Sequence, residues 1–219
     1  MTTTHMNGPS SPLLVVWIVA AVALVAILLI LMNWKQRDER AGRTFLALCS
    51  QLGLSPSDKG VCSVKYFREY PFIGFGRKLL LAAGTLNGIH VELCVVPYMW
   101  SCPKGQTEVG IWCPTVAGVE MGLTRRDVII STIGSVMGLS NRSGDGPLSG
   151  KYDTWGTDVA RVLTSEVQTS VRSFPGSIDK LWVSGHDAVI VWDGVELEAA
   201  VIAYAFRLGM SLHEAATAR

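Results

Sequence analysis

The stretch LLLAAGTLNGIHVELCVV, residues 79–96, decides the fold class. Asn87-Gly88 sits between two apolar runs, and both central residues of a tight hairpin turn need φ > 0, which Asn and Gly adopt at least cost. The pattern predicts a β-hairpin with arms at 79–86 and 89–96. In the second arm His90, Glu92 and Cys94 alternate with Val91, Leu93 and Val95, so one face is apolar and the other mixed. A further strand at 108–113 is expected to extend the sheet.

Towards the C-terminus, Thr124-Arg-Arg-Asp127 has the form of a capping box, with Val128, Ile129, Ile133 and Val136 following at helical spacing. A helix from Arg125 to about Met137 is expected, stopped by Gly138. Residues 140–151, SNRSGDGPLSGK, read as a mobile loop. Thr157 and Ser165 can cap two short helices at 158–163 and 166–174, the second through a Ser165-x-x-Gln168 box. LWVSGHDAVIVW, residues 181–192, reads as a second hairpin turning at Gly185. Residues 195–216 form a closing amphipathic helix with Leu197, Val201, Tyr204, Ala205, Leu208 and Leu212 on one side. Strands do not alternate regularly with helices, so the class is α+β, antiparallel hairpins packed against helices, rather than doubly wound. Residues 55–219 are long enough for one domain with a real core. Two subdomains joined through 140–151 are the alternative.

Towards the N-terminus, residues 35–54 carry helical periodicity in Phe45, Leu46, Cys49 and Leu52, stopped by Gly53, Pro56 and Gly60. This juxtamembrane helix is expected to pack on the domain and hold it close to a bilayer. Ahead of it, residues 13–32 read LLVVWIVAAVALVAILLILM, without a charge, and roughly 20 residues at about 1.5 Å each span a hydrocarbon core of about 30 Å. Residues 13–34 are read as a transmembrane helix and 1–12 as a short extracytoplasmic tail. Trp34 suits an interfacial anchor. The first twelve residues lack the basic n-region of a cleaved signal peptide. No Lys or Arg precedes the helix, whereas Lys35, Arg37, Arg40 and Arg43 follow it, which places the C-terminal side in the cytoplasm. Asp38 and Glu39 dilute this cluster, so it reads as a topology signal rather than a lipid site.

The 219 residues are 49% hydrophobic and 17% charged, with a formal net charge of +1 that lies wholly after the apolar helix. A nucleic-acid binder would carry a basic face, so that partner class is not expected. The five cysteines (Cys49, Cys62, Cys94, Cys102 and Cys113) are odd in number and irregular in spacing, as reduced cytoplasmic thiols are. With the opposite topology, Cys102 and Cys113 could close a disulfide.

No catalytic motif is complete. Gly146-Pro-Leu-Ser-Gly-Lys-Tyr152 has Asp145 where a phosphate loop needs Gly, and Tyr152 where it needs Ser or Thr. Gly74-Phe-Gly-Arg77 lacks its third Gly. His90, Cys94, Cys102 and Cys113 offer zinc-ligand chemistry, but strand residues four apart lie about 13 Å apart, so His90 and Cys94 cannot share one ion. His186-Asp187 at the second hairpin turn, with Asp153 and Asp127 elsewhere, is the best acid-base set, and Gly-His-Asp is also ordinary turn chemistry. Neither a cofactor nor a metal is expected. Trp100, Trp112, Trp155, Trp182 and Trp192 lie outside the apolar helix. Trp182 and Trp192 fall in opposite hairpin arms, on the face opposite Val183 and Val191, and are expected to form an exposed interaction patch.

Gly122-Leu123 before a charged helix, a Gly/Asp loop, Tyr152-Asp153 before Trp155-Gly156, then Val159 to Leu163, Thr164-Ser-Glu-Val167, a hairpin and a closing helix form a recurrent order. In this the last 100 or so residues resemble a loose group of uncharacterised bacterial membrane-anchored proteins. The resemblance implies architecture and a bacterial setting, and no activity. The resulting expectation is a single-pass inner-membrane protein whose cytoplasmic domain binds the bilayer's neighbours, either a protein partner or a second copy of itself, without catalysis. The rival is a membrane-bound hydrolase using His186 and Asp187 or His90 and Glu92.

Overall fold

A computed structural model describes residues 12–57, 61–68, 79–96, 105–112, 119–126, 148 and 150–218. The chain divides into two units, Met1–Arg43 and Thr44–Arg219. The first contains most of α1, Pro12–Leu52, a continuous 41-residue helix that includes the expected spanning and juxtamembrane segments. It is the one helix, among the described residues, long and apolar enough to cross a membrane, and its apolar window is exposed throughout. Apolar side chains on every face have no stable place in water, so the composition of this helix calls for a lipid or protein environment.

In the second unit the end of α1 turns Phe45, Leu48 and Cys49 into the core. Leu46, expected among them, is 55% exposed, because at 100° per residue it lies a quarter-turn off the 45–48–49–52 stripe. The strands are β1 (Ser55–Pro56), β2 (Leu80–Leu86), β3 (Ile89–Val96), β4 (Gln106–Trp112), β5 (Glu120–Arg125), β6 (Tyr152–Trp155), β7 (Ile178–Ser184) and β8 (Asp187–Asp193). The helices after α1 are α2 (Lys65–Arg68), α3 (Val159–Val162), α4 (Ser165–Arg172) and α5 (Ala199–Thr217). The eight strands of the described residues form one sheet in the order β1-β2-β3-β4-β8-β7-β5-β6, and every pairing is antiparallel. The protein is an α+β fold.

The β2–β3 turn has Asn87 at φ 52° and Gly88 at φ 80°, the pair of positive angles the Asn-Gly signal demands. Gly185 supplies φ 60° to the β7–β8 turn. One face of the sheet is covered by the end of α1 and by α3, α4 and α5. Val91, Leu93, Val109, Ile111, Leu181, Ile190 and Trp192 point into that layer, with Ile202, Phe206 and Leu212 of α5 opposite.

Several elements differ from the sequence expectation. Arg125 ends a strand instead of opening a helix, since the Met121/Leu123 alternation pairs with both β6 and β7. The remainder of that expected helix, and most of the loop at 140–151, fall outside the described residues. The cap of α4 is Thr164, whose hydroxyl accepts from the Val167 amide at 3.3 Å, one residue before the expected Ser165. Asp158 flanks α3 in place of Thr157. Helix α5 starts at Ala199, four residues late. The hydroxyl of buried Thr107 ties the preceding segment to β4, donating to Gly194 O at 2.7 Å and accepting from the Glu196 amide at 2.8 Å.

Candidate functional site

The second face of the sheet carries the polar chemistry. Even-numbered residues of β3 and β4 point to it, so His90, Glu92 and Cys94 stand beside Glu108, Gly110 and Trp112. Glu92 is 1% exposed, Glu108 0% and Asp187 8%. Buried carboxylates need donors, and the segment at 61–68 supplies them. Glu92 accepts from the Ser63 amide through Oε1 and from the Val64 amide through Oε2 at 3.3 Å. Asp187 Oδ2 accepts from the Lys65 amide at 2.8 Å. The Val64 and Lys65 amides are among those a helical turn leaves unsatisfied at its start, so two acids from the sheet cap α2 from outside it.

Capping seats α2 against the sheet. Val64 and Phe67 are fully buried, and a Cβ at Gly110 would stand 2.8 Å from each. Cys62, Leu81, Cys94, Val96, Val189 and Val191 complete this smaller core. Glu108 Oε1 accepts from the Gln106 amide group at 2.9 Å. Burial, with Glu108, Cys62 and Glu92 adding negative charge, holds the Cys94 thiol well above its ordinary range, which is the opposite of a nucleophile's environment. Burial likewise raises Cys49.

His90 Nε2 lies 2.9 Å from Glu92 Oε1, and its ring packs edge-on to Trp112 at 6.4 Å. The His90 and Glu92 of the rival reading therefore do meet. Of the second pair, His186 is exposed in the turn, while Asp187 is buried and points under the sheet to α2. Asp153 pairs with Arg126 through Nε at 3.0 Å and Nη2 at 2.7 Å. Asp127, Cys102, Cys113, Trp100 and the two glycine-rich motifs lie outside the described residues, apart from Leu148 and residues 150–152 of the motif at 146–152. Among the described residues no three His, Cys, Asp or Glu side chains gather as a metal site.

The expected Trp182/Trp192 patch does not form. A two-residue turn pairs Ser184 with Asp187 and Trp182 with Val189, so residues of equal parity in the two arms lie on opposite faces. Trp192 is 2% exposed in the helix-covered core, edge-on to Phe174 at 5.3 Å. Trp182 lies half-buried on the second face. Its neighbour there is a residue the patch omitted: the row Glu92–Gly110–Val189–Trp182–Gly122–Trp155 crosses six strands, and Trp155 is 45% exposed. A Cβ at Gly122 would fall 1.9 Å from the Trp155 indole, so the ring lies flat on the glycine. The sequence signal was present in the Gly122 and Trp155-Gly156 of the recurrent order, but only strand pairing brings them together.

No protein-family model matches the chain, and no curated protein matches it. Among solved structures, the chain is similar to the crystal structure of the mycobacterial trehalose monomycolate transport factor A, TtfA, with a TM-score of 0.53 over 81% of this chain and 94% of that one. Identity is 12%. The likeness is one of fold. Of the residues read as topology signals, Lys35, Arg37, Arg40 and Arg43 are exposed along α1, and Arg43 Nε donates to Glu39 O at 3.5 Å. Trp34 lies within α1, with its side chain outside the described residues.

Proposed function

We propose that this chain is a single-pass bacterial inner-membrane protein whose cytoplasmic domain works by binding, as a non-enzymatic interaction or assembly module of a membrane transport system. The observation that carries the reading is the use made of the buried acids. Glu92 and Asp187, buried carboxylates among the polar groups of the second face, accept from backbone amides of their own domain. The apolar α1 supplies an anchor, and the basic residues after it favour an inside location for the domain. The resemblance to a transport factor supports an accessory role in transport.

Cytoplasm-dependent and periplasm-dependent reporters, fused separately after Arg219, test the sidedness; a periplasmic signal would overturn it. Cross-linking in native membranes tests the binding role. Partners captured by the full chain and lost with residues 1–43 alone place binding in the domain. The hydrolase reading draws on the His90–Glu92 contact, and it is favoured instead if the full chain turns over ester or amide substrates and His90→Asn abolishes that turnover.

A further inference from the structure

We propose that the open half of the second sheet face pairs with the same face of a second copy of this chain. The inference builds on the reading of the domain as a binding module and names its partner. Outside α1, Trp155 and Val61 are the exposed large hydrophobic side chains among the described residues, and Trp155 lies on a flat ledge at Gly122 beside half-buried Trp182. Scattered apolar residues need no explanation, but two indoles in one row, on a stretch of sheet that no described element covers, do.

Charge selects the occupant. Two residues along the strands from that row, on one side, Lys180 stands exposed on β7; on the other side, Glu120 stands exposed on β5. Neither side chain has an ion-pair partner among the described residues. A two-fold axis lying along the Trp182–Gly122–Trp155 row exchanges these two sides. It places Lys180 of each copy next to Glu120 of the other, about one strand spacing, roughly 5 Å, to the side. The same operation stacks Trp155 on its own symmetry mate across an inter-sheet gap of about 10 Å, which two indoles fill. A patch with one cation and one anion on opposite sides of an aromatic row is self-complementary under this operator, as an isologous interface requires. A strongly acidic or basic partner would gain from one of these charges and lose from the other. Two copies anchored in one membrane also meet at raised effective concentration.

The test uses the full chain in native membranes, two differently tagged copies being expressed together, with the photoreactive residue p-benzoylphenylalanine in place of Trp155. Illumination is expected to give an adduct carrying both tags. Lys180→Glu should lower its yield roughly tenfold, as like charges brought together at an interface do, and adding Glu120→Lys to the same chain should restore it by exchanging the pair. The probe at Thr124, half-buried on the same face, repeats the measurement should the Trp155 substitution impair folding. Self-pairing is overturned by the absence of a two-tag adduct from both positions, by adducts to lipid or to another protein alone, or by insensitivity to Lys180→Glu. An adduct to another protein would leave the binding-module reading standing. That reading falls on its own test, if captured partners survive removal of the domain.

Discussion

Gly110 and Gly122 stand in the same row of the second sheet face, and each gives its missing side chain's space to an aromatic ring. Over Gly110 the ring is Phe67, fully buried and held down by a helical turn that Glu92 and Asp187 cap. Over Gly122 it is Trp155, nearly half exposed and rising from the neighbouring strand. The same local device thus closes one half of the face and, among the described residues, leaves the other half open. What separates them is the acids: where carboxylates are buried they bind backbone and seal the sheet, and where charges stay at the surface, as at Lys180 and Glu120, the sheet remains available.

The contrast is broken most severely by Phe67→Ala, which empties a fully buried site and should cost about 3–5 kcal/mol. Trp155→Ala should change stability by less than about 1 kcal/mol, because a half-exposed ring gives up little buried area. Denaturant unfolding of the full chain in detergent, followed by near-ultraviolet circular dichroism, measures both; equal effects would dissolve the distinction between the two halves. Glu92→Ala comes next, at roughly 3 kcal/mol, since it leaves the Ser63 and Val64 amides without their acceptor. Faster proteolysis within 61–68, with the rest of the domain intact, is the expected local signature.

The glycines themselves sharpen the comparison at smaller scale. Gly110→Ala drives a methyl against Val64 and Phe67, neither of which can move outward, and should cost about 1–3 kcal/mol. Gly122→Ala meets a tighter nominal contact, 1.9 Å against 2.8 Å, yet should cost less than about 1 kcal/mol, because the exposed indole can lift away. A larger loss at Gly122 than at Gly110 would mean that Trp155 is held as firmly as Phe67. In the self-pairing experiment Gly122→Ala should also lower the two-tag yield, since a lifted ring spoils the ledge.

The local elements of this half-closed sheet were legible where turn chemistry is unambiguous. Asn87-Gly88 and Gly185 gave both hairpins, and the 3.6-residue period gave α5 to within four residues at its start. Strands β5 and β6 were not read, because Gly122 interrupts the first and the second is four residues long; both depend on non-local pairing for their existence. The site was less legible than the fold. Glu92 was read as one member of a mixed strand face, but the amides that claim it lie 28 and 29 residues away, in a segment whose sequence shows no helical period. Trp192 falls on the covered face because a two-residue turn pairs odd with even positions, a turn length that Gly185 alone does not specify. The place of Trp155 on the surface is not legible locally, because its ring rests on Gly122, in the preceding strand, which only the β5–β6 pairing brings beside it.

The smallest effect expected is a difference in pH response between the sealed half and the start of α3. Under the sealed half, Cys94 is held protonated by burial and by the nearby acids, so its folded pKa lies well above the ordinary thiol value of 9.0. As pH rises through that value the unfolded chain loses the Cys94 proton while the folded chain keeps it, and the stability supported by the neutral thiol declines. At the start of α3, Asp158 is held below its usual 3.8, first by accepting from the Glu120 amide and then by the Thr157 hydroxyl. As pH falls through 3.8 the unfolded chain takes up a proton that folded Asp158 refuses, so its contribution is present above that value and lost in acid. Cys94→Ala should flatten the alkaline limb and leave the acid limb unchanged; Asp158→Asn should do the reverse. Unfolding midpoints measured from pH 3 to pH 10 for the three chains separate the two, and an alkaline limb that persists in Cys94→Ala would show that the sealed half is held by something other than its buried, neutral thiol and the acids around it.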